Sequence, residues 1–153
     1  MGEREHLQMA DCVFCSVVSG EVPAHVVSRD DSTMVFLDRS PVFKGHALVV
    51  PRRHVVTLPD LDEGSLASYF SVVQRVSAVM PHALDADGTF VAINNVVSQS
   101  VAHLHTHVVP RRRKDGLRGF FWPRTKYASD AEATEYAERL RRAMNEIPPN
   151  GAV

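Results

Sequence analysis

Histidines stand at positions 103, 105 and 107, in Val101-Ala102-His103-Leu104-His105-Thr106-His107. On an extended strand, side chains at i, i+2 and i+4 point to one face, each roughly 6.5–7 Å from the next. Three kinds of chemistry fit that pattern. The histidines can be polar groups on a solvent-facing strand, with Leu104 turned inward. They can hold a metal, since zinc takes imidazole nitrogen at about 2.0–2.1 Å. The outer two, however, would be separated by roughly 13 Å of strand, too far for one ion to collect all three without distortion. Or one imidazole can act as a nucleophile: it is neutral near pH 7, carries no charge to repel an anionic phosphate, and can have donors beside it.

The chain has two cysteines, Cys12 and Cys15. A spacing of two residues is too tight for a useful structural crosslink, and it matches half of a tetrahedral zinc site, which needs two more ligands. A dithiol redox motif uses the same spacing but belongs to a βαβ context that is not evident around it. Two unconnected buried thiols remain a third reading.

Around these groups the sequence predicts β-type runs at residues 25–29 and 33–38, flanking the polar turn Asp30-Asp31, and at 46–51, 89–94 and 101–110. Leu66, Tyr69, Phe70, Val73, Val76 and Met80 recur at helical spacing, so a helix is expected from Pro59-Asp60 to Met80, closed by Pro81. Ser129 or Asp130 caps a second helix with Tyr136, Ala137, Leu140, Met144 and Ile147 on its inner face. Residues 114–126 read as a loop holding Phe120, Phe121 and Trp122. The strands follow one another too closely for helical crossovers, so an α+β fold is expected, an antiparallel sheet with two main helices.

The 153 residues suit one domain with a single core; apolar residues make up 44% and charged residues 23%, a globular balance. A formal charge of −1 argues against a general nucleic-acid binder. No apolar run is long enough to span a bilayer, and residues 1–9 lack the apolar stretch of a secretory signal. The expected organisation is a flexible leader at 1–9 with Met9 as an alternative start, a domain over 10–147 and a tail at 148–153, in a cytoplasmic protein.

The stretch Ser98-Gln99-Ser100-Val101-Ala102-His103-Leu104-His105-Thr106-His107-Val108-Val109-Pro110-Arg111 resembles the signature of the histidine triad (HIT) family of nucleotide hydrolases and transferases. Cys12-Val13-Phe14-Cys15, Phe36-Leu37-Asp38 and Lys44-Gly45-His46-Ala47-Leu48-Val49-Val50-Pro51-Arg52-Arg53-His54 stand in the order and spacing of its zinc-containing bacterial members.

The resemblance implies a HIT-like fold, a homodimer using the residue 60–80 helix and the strand before the triad, and a purine nucleotide as substrate. His105 would attack the α-phosphorus and carry the nucleotidyl group. His107, His46, Gln99 and Ser100 would flank the phosphate, with Ser100 also handling the leaving group's proton. Asp38 would accept from ribose hydroxyls. Phe14, Phe36 and Leu37 would form the base pocket, and Asn94 would reach the phosphate or sugar. Cys12, Cys15, His54 and His103 would hold a structural zinc. The implied reaction releases a nucleoside monophosphate from a dinucleoside polyphosphate, a nucleoside phosphoramidate or adenylyl sulfate. Transfer to phosphate and a regulatory, non-catalytic binder are the rival functions.

Two positions depart from the family pattern: Thr106 stands where an apolar residue is usual, and Asn94-Asn95-Val96-Val97-Ser98 is short and lacks glycine. Arg111-Arg112-Arg113-Lys114, with Arg52 and Arg53, is either a solvated loop or a basic rim for a polyphosphate tail. Trp122 and Tyr127 read as core or interface residues. His6, His25 and His82 read as surface histidines.

Overall fold

The computed structural model describes residues 11–117 and 125–147. The expected leader and tail, and Phe120, Phe121 and Trp122, lie outside the described residues. The chain divides into two compact units, one ending at Arg113 and the other beginning at Lys114.

The first unit holds α1 (Val13–Ser19), β1 (Val26–Arg29), β2 (Thr33–Leu37), β3 (Ala47–Pro51), α2 (Glu63–Leu84), β4 (Gly88–Ile93) and β5 (Thr106–Arg111). The strands form one antiparallel sheet in the order β1-β2-β3-β5-β4. β2 and β3 are buried nearly throughout, so Thr33-Met-Val-Phe-Leu and Ala47-Leu-Val-Val-Pro read as near-continuous apolar runs. The α+β fold with an antiparallel sheet is as expected; α1 is a third helix beyond the two read from the sequence.

The sheet has two covered faces. Val35, Ala47, Val49 and Val108 pack with Tyr69, Val73, Val76 and Met80 of α2. Met34, Phe36, Leu48 and Val50 pack with Cys12, Phe14 and Val17 at α1. Directly opposed residues of an antiparallel pair share a face. His107 opposes Leu48 and Ala92, so it lies on the α1 face; Thr106 opposes Val49 and Ile93 and lies toward α2.

α2 runs from Glu63 to Leu84, one turn beyond the expected stop, with Pro81 inside it. Proline cannot donate to the carbonyl four residues back, but it does not end the helix here. Leu84 seats against Gly45, where any Cβ would collide with it, and Asp85 caps the turn in the left-handed region at φ 53°. Pro59 lies instead in a short 3-10 turn, Leu58–Asp60, that leads into α2.

The expected strand over 101–110 is shorter: β5 begins at Thr106, and His103, Leu104 and His105 approach it outside the sheet. The β3–β5 ladder stops at Val49 and Thr106. Pro51 has no N–H with which to continue a ladder, its carbonyl accepts from His103 Nε2 at 2.8 Å, and Leu104 N donates instead to Val55 O at 2.6 Å.

In the second unit, α3 (Asp130–Glu146) is capped by the Ser129 side chain, as the sequence suggests. The face expected to be inner is exposed: Tyr136, Leu140, Met144 and Ile147 are all open to solvent.

Candidate functional site

Two clusters converge on His105. The first is built from α1's start, the segment after β3 and the approach to β5. Cys12 caps α1, its sulfur accepting from Cys15 N at 3.4 Å, so one turn of helix turns both sulfurs to the same side. Cys12 Sγ lies 3.4 Å and Cys15 Sγ 3.6 Å from His103 Nδ1, and Cys15 Sγ lies 3.2 Å from His54 Nδ1. All four ligating atoms lie within 4.8 Å of one another.

These residues fit a tetrahedral zinc. With Zn–S of about 2.3 Å and Zn–N of about 2.0–2.1 Å, tetrahedral ligands stand about 3.5 Å apart as S···N pairs, and the three observed separations bracket that value. His103 donates from Nε2 to Pro51 O, which leaves the Nδ1 lone pair facing the sulfurs. Burial lowers the pKa of His54 and takes His103 down to about 4, so both imidazoles are neutral and ligand-competent at pH 7. Burial and the neighbouring Cys12 push Cys15 up to about 12, a cost that a divalent cation would reverse.

The second cluster is a hydrogen-bond chain. Val42 N donates to His46 Nδ1 at 3.1 Å, and His46 Nε2 lies 2.9 Å from His107 Nδ1. His46 therefore carries its proton on Nε2 and donates to His107, which as a neutral ring must carry its own proton on Nε2. Burial, with His105 and His46 adding to it, takes the His107 pKa down to about 4; burial lowers that of His46 too. Asp38 Oδ2 stands 3.8 Å from His46 Nδ1, while its Oδ1 accepts from Ser40 N at 2.8 Å. Asp38, His46 and His107 also bring ligating atoms within 4.8 Å of one another, but the two rings sit at hydrogen-bond distance, with a proton rather than an ion between them.

His105 stands between the clusters, 3% exposed. Its Nδ1 donates to His103 O at 2.7 Å, leaving Nε2 with a free lone pair. Its ring centroid is 4.9 Å from that of His107 and 5.1 Å from that of Phe14.

The other predicted residues are placed less uniformly. Phe14 and Phe36 pack edge to face at 5.4 Å and are nearly closed off from solvent, whereas Leu37 is exposed. Gln99 accepts from Val96 N within its own loop and donates across to Val56 O in the segment after β3. Asn94 donates to Ser98 O at 3.3 Å, Asn95 accepts from Leu58 N, and Ser100 is exposed beside a cleft that Cys12 and His54 also line. Arg53 pairs with Asp62, and Arg52 donates to Asp30 O.

A contact that sequence reading passed over joins Tyr69 to Thr106. The Tyr69 hydroxyl donates to Val49 O at 2.9 Å and lies 2.7 Å from Thr106 Oγ1. The departure at Thr106 was its signal: a fully buried hydroxyl needs a partner.

The HIT domain family model matches residues 19–114. An uncharacterised HIT-like protein of Mycobacterium tuberculosis is 37% identical over 135 residues, covering 87% of this chain and 92% of that one. The adenylylsulfatase HINT3 of Arabidopsis thaliana is 30% identical over 145 residues (90% and 72%). The adenosine 5'-monophosphoramidase of Schizosaccharomyces pombe is 32% identical over 114 residues (73% and 83%). Among solved structures, a HIT family member from Bacillus subtilis superposes with TM-score 0.78 at 27% identity, covering 88% of this chain and 97% of that one. A zinc-bound histidine triad family protein from Mycobacterium smegmatis superposes with TM-score 0.66 at 32% identity (91% and 99%). The family includes hydrolases of nucleotide conjugates, and by this match over most of its length the chain belongs to the HIT domain family.

Proposed function

We propose that the chain cleaves a nucleotide conjugate at its α-phosphorus, with His105 Nε2 as the nucleophile, and releases a nucleoside monophosphate. The observation that carries this is the His105 Nδ1–H bond to its neighbour's carbonyl, which leaves one ring nitrogen free and fixes the other as a donor. Attack would form an N–P bond as the bond to the leaving group breaks; water then breaks the N–P bond and His105 is regenerated. His107 Nε2–H, held by the His46 bond, would donate to a phosphate oxygen as charge shifts onto it. His46 has both ring nitrogens engaged and would act through His107.

The exposed Ser100 hydroxyl would serve the leaving group's proton. Gln99 and Asn94 would reach the phosphate or sugar only by giving up their bonds to Val56 O and Ser98 O. Asp38 Oδ2 would accept from the ribose, and Leu37 beside it would meet a purine base, with Phe36 and Phe14 behind. Cys12, Cys15, His54 and His103 would hold the zinc, which when bound crosslinks α1 to the approach to β5. The exposed Phe70 and Val79 on α2 and Val91 on the edge strand β4 support the homodimer reading. No helix among the described residues is long and apolar enough to cross a membrane, and paired thiols as metal ligands suit a reducing, cytoplasmic setting.

Incubation with adenosine 5'-phosphoramidate, adenylyl sulfate and a dinucleoside polyphosphate, with and without phosphate, tests the reading. AMP release from at least one is expected. ADP formed only with phosphate would mark a transferase. Binding of AMP with no turnover of any of the three would make the chain a nucleotide-binding protein and overturn the proposal.

A further inference from the structure

Besides His107, the imidazole of His105 meets two groups tied to the Cys/His cluster, one from a cluster residue and one from a residue lying in sequence between two of its members. The first is the His103 carbonyl, 2.7 Å from Nδ1. The second is Phe14, which sits in sequence between Cys12 and Cys15. Its ring meets His105 edge to face, with centroids 5.1 Å apart and planes at 84°, and meets His103 at 6.0 Å and 75°. Phe36 backs Phe14 from β2 at 5.4 Å. Phe14 is 9% exposed, which leaves little of the ring to stack on a base.

One contact sets how the His105 ring pivots about its Nδ1–H; the other restricts its tilt. Cys12 and Cys15 fix the turn that carries Phe14, and His103 supplies the carbonyl, so the four cluster side chains and the aim of Nε2 belong to one rigid unit. We infer that Phe14 is a positioning residue for His105, and that metal occupancy of the Cys12–Cys15–His54–His103 cluster sets the direction of the nucleophile as well as holding the fold. This rests on the proposed role of His105. Losing the aim while keeping the fold lowers the rate of the chemical step without weakening ground-state binding, because attack requires near-aligned reacting atoms.

Phe14→Leu keeps an apolar side chain but removes the ring. In the zinc-loaded protein it is expected to retain one zinc per chain, with kcat lowered about tenfold, a larger factor than any accompanying change in AMP affinity or KM. Proton NMR of the wild type supplies a readout independent of activity. The His105 ring C–H signals lie in the ring current of Phe14, and they should move in Phe14→Leu and also move when zinc is removed by a chelator from the folded wild type. Wild-type kcat in Phe14→Leu, or His105 signals that stay in place on zinc removal, would overturn the inference; the wild-type NMR measurement decides it even where the variant folds poorly. His105→Asn separates the two levels: undiminished turnover there sinks the nucleophile reading itself, whereas an inactive His105→Asn beside an unaffected Phe14→Leu sinks only the role of Phe14.

Discussion

His46 and His107 share one hydrogen bond at 2.9 Å, and burial lowers the pKa of both, that of His107 to about 4. Unfolded, an imidazole titrates near 6.5. Between about 4 and 6.5 the unfolded chain therefore binds more protons than the folded one, and stability rises with pH across that window. Wild-type melting temperature is expected to fall as pH drops from 6.5 toward 4. In His107→Gln, which cannot titrate there, the fall should be shallower. Comparing the two removes the contribution of the metal cluster, which both share; parallel curves would show that His107 is not held neutral. At this scale the three histidines and two cysteines were legible from their spacing, whereas Asp38, His46 and His54 were marked only by the family resemblance. The direction of each ring was not, because it depends on carbonyls and amides such as Pro51 O, His103 O and Val42 N that every residue offers alike.

The elements divide by how local their signals are. β2 and β3 were legible because their apolar runs are continuous, and α2 because its apolar residues recur at helical spacing. α1 was not: Val13-Phe-Cys-Ser-Val-Val-Ser is rich in β-branched residues that disfavour a helix, and the helix exists where a cysteine caps one end, Gly20 closes the other in the left-handed region, and Phe14 and Val17 are buried. The histidine run reads as strand from its alternation, yet only His107 lies in β5, since the chain before Thr106 is drawn toward Val55 and Pro51. At that departure point the Thr106 hydroxyl bonds to the Tyr69 hydroxyl, which in turn donates to Val49 O. Tyr69→Phe leaves the buried Thr106 hydroxyl and one carbonyl short of a partner and should cost about 1–3 kcal/mol. Thr106→Val alone should cost about 1 kcal/mol, since Tyr69 keeps its bond to Val49 O. The double variant should cost less than the sum, read by denaturant unfolding; strict additivity would mean that the two hydroxyls are not coupled.

Over the whole molecule, the sheet separates two tasks. The α2 face is a conventional apolar core; the α1 face carries the histidines, the cysteines and Asp38. A metal on the Cys/His cluster would join α1, the segment after β3 and the approach to β5, three stretches far apart in sequence, so its loss should loosen the α1 face as a unit. Freshly prepared, chelator-free protein is expected to carry one zinc per chain, and Cys12→Ser to lose it together with several degrees of melting temperature. Metal-free wild type with an unchanged melting temperature would contradict this. The family match stops at residue 114, and there too the first compact unit gives way to the second. In that second unit α3 was legible through its Ser129 cap, but the face read as inner is not buried: Tyr136, Leu140 and Met144 are amphipathically spaced and yet exposed; periodicity names a face without naming what covers it.

The central claim is that the free nitrogen of His105 takes the nucleotidyl group. Wild-type protein mixed with an adenylylated substrate, quenched without acid, digested and analysed by mass spectrometry should yield an adenylyl adduct on the peptide containing His105, localised to that residue by fragmentation. His105→Asn should still bind AMP, form no adduct and lose turnover by a factor of several thousand or more, on the order of the loss seen when a covalent nucleophile is removed. An adduct on His103 or His107, or near wild-type turnover in His105→Asn, would contradict the account.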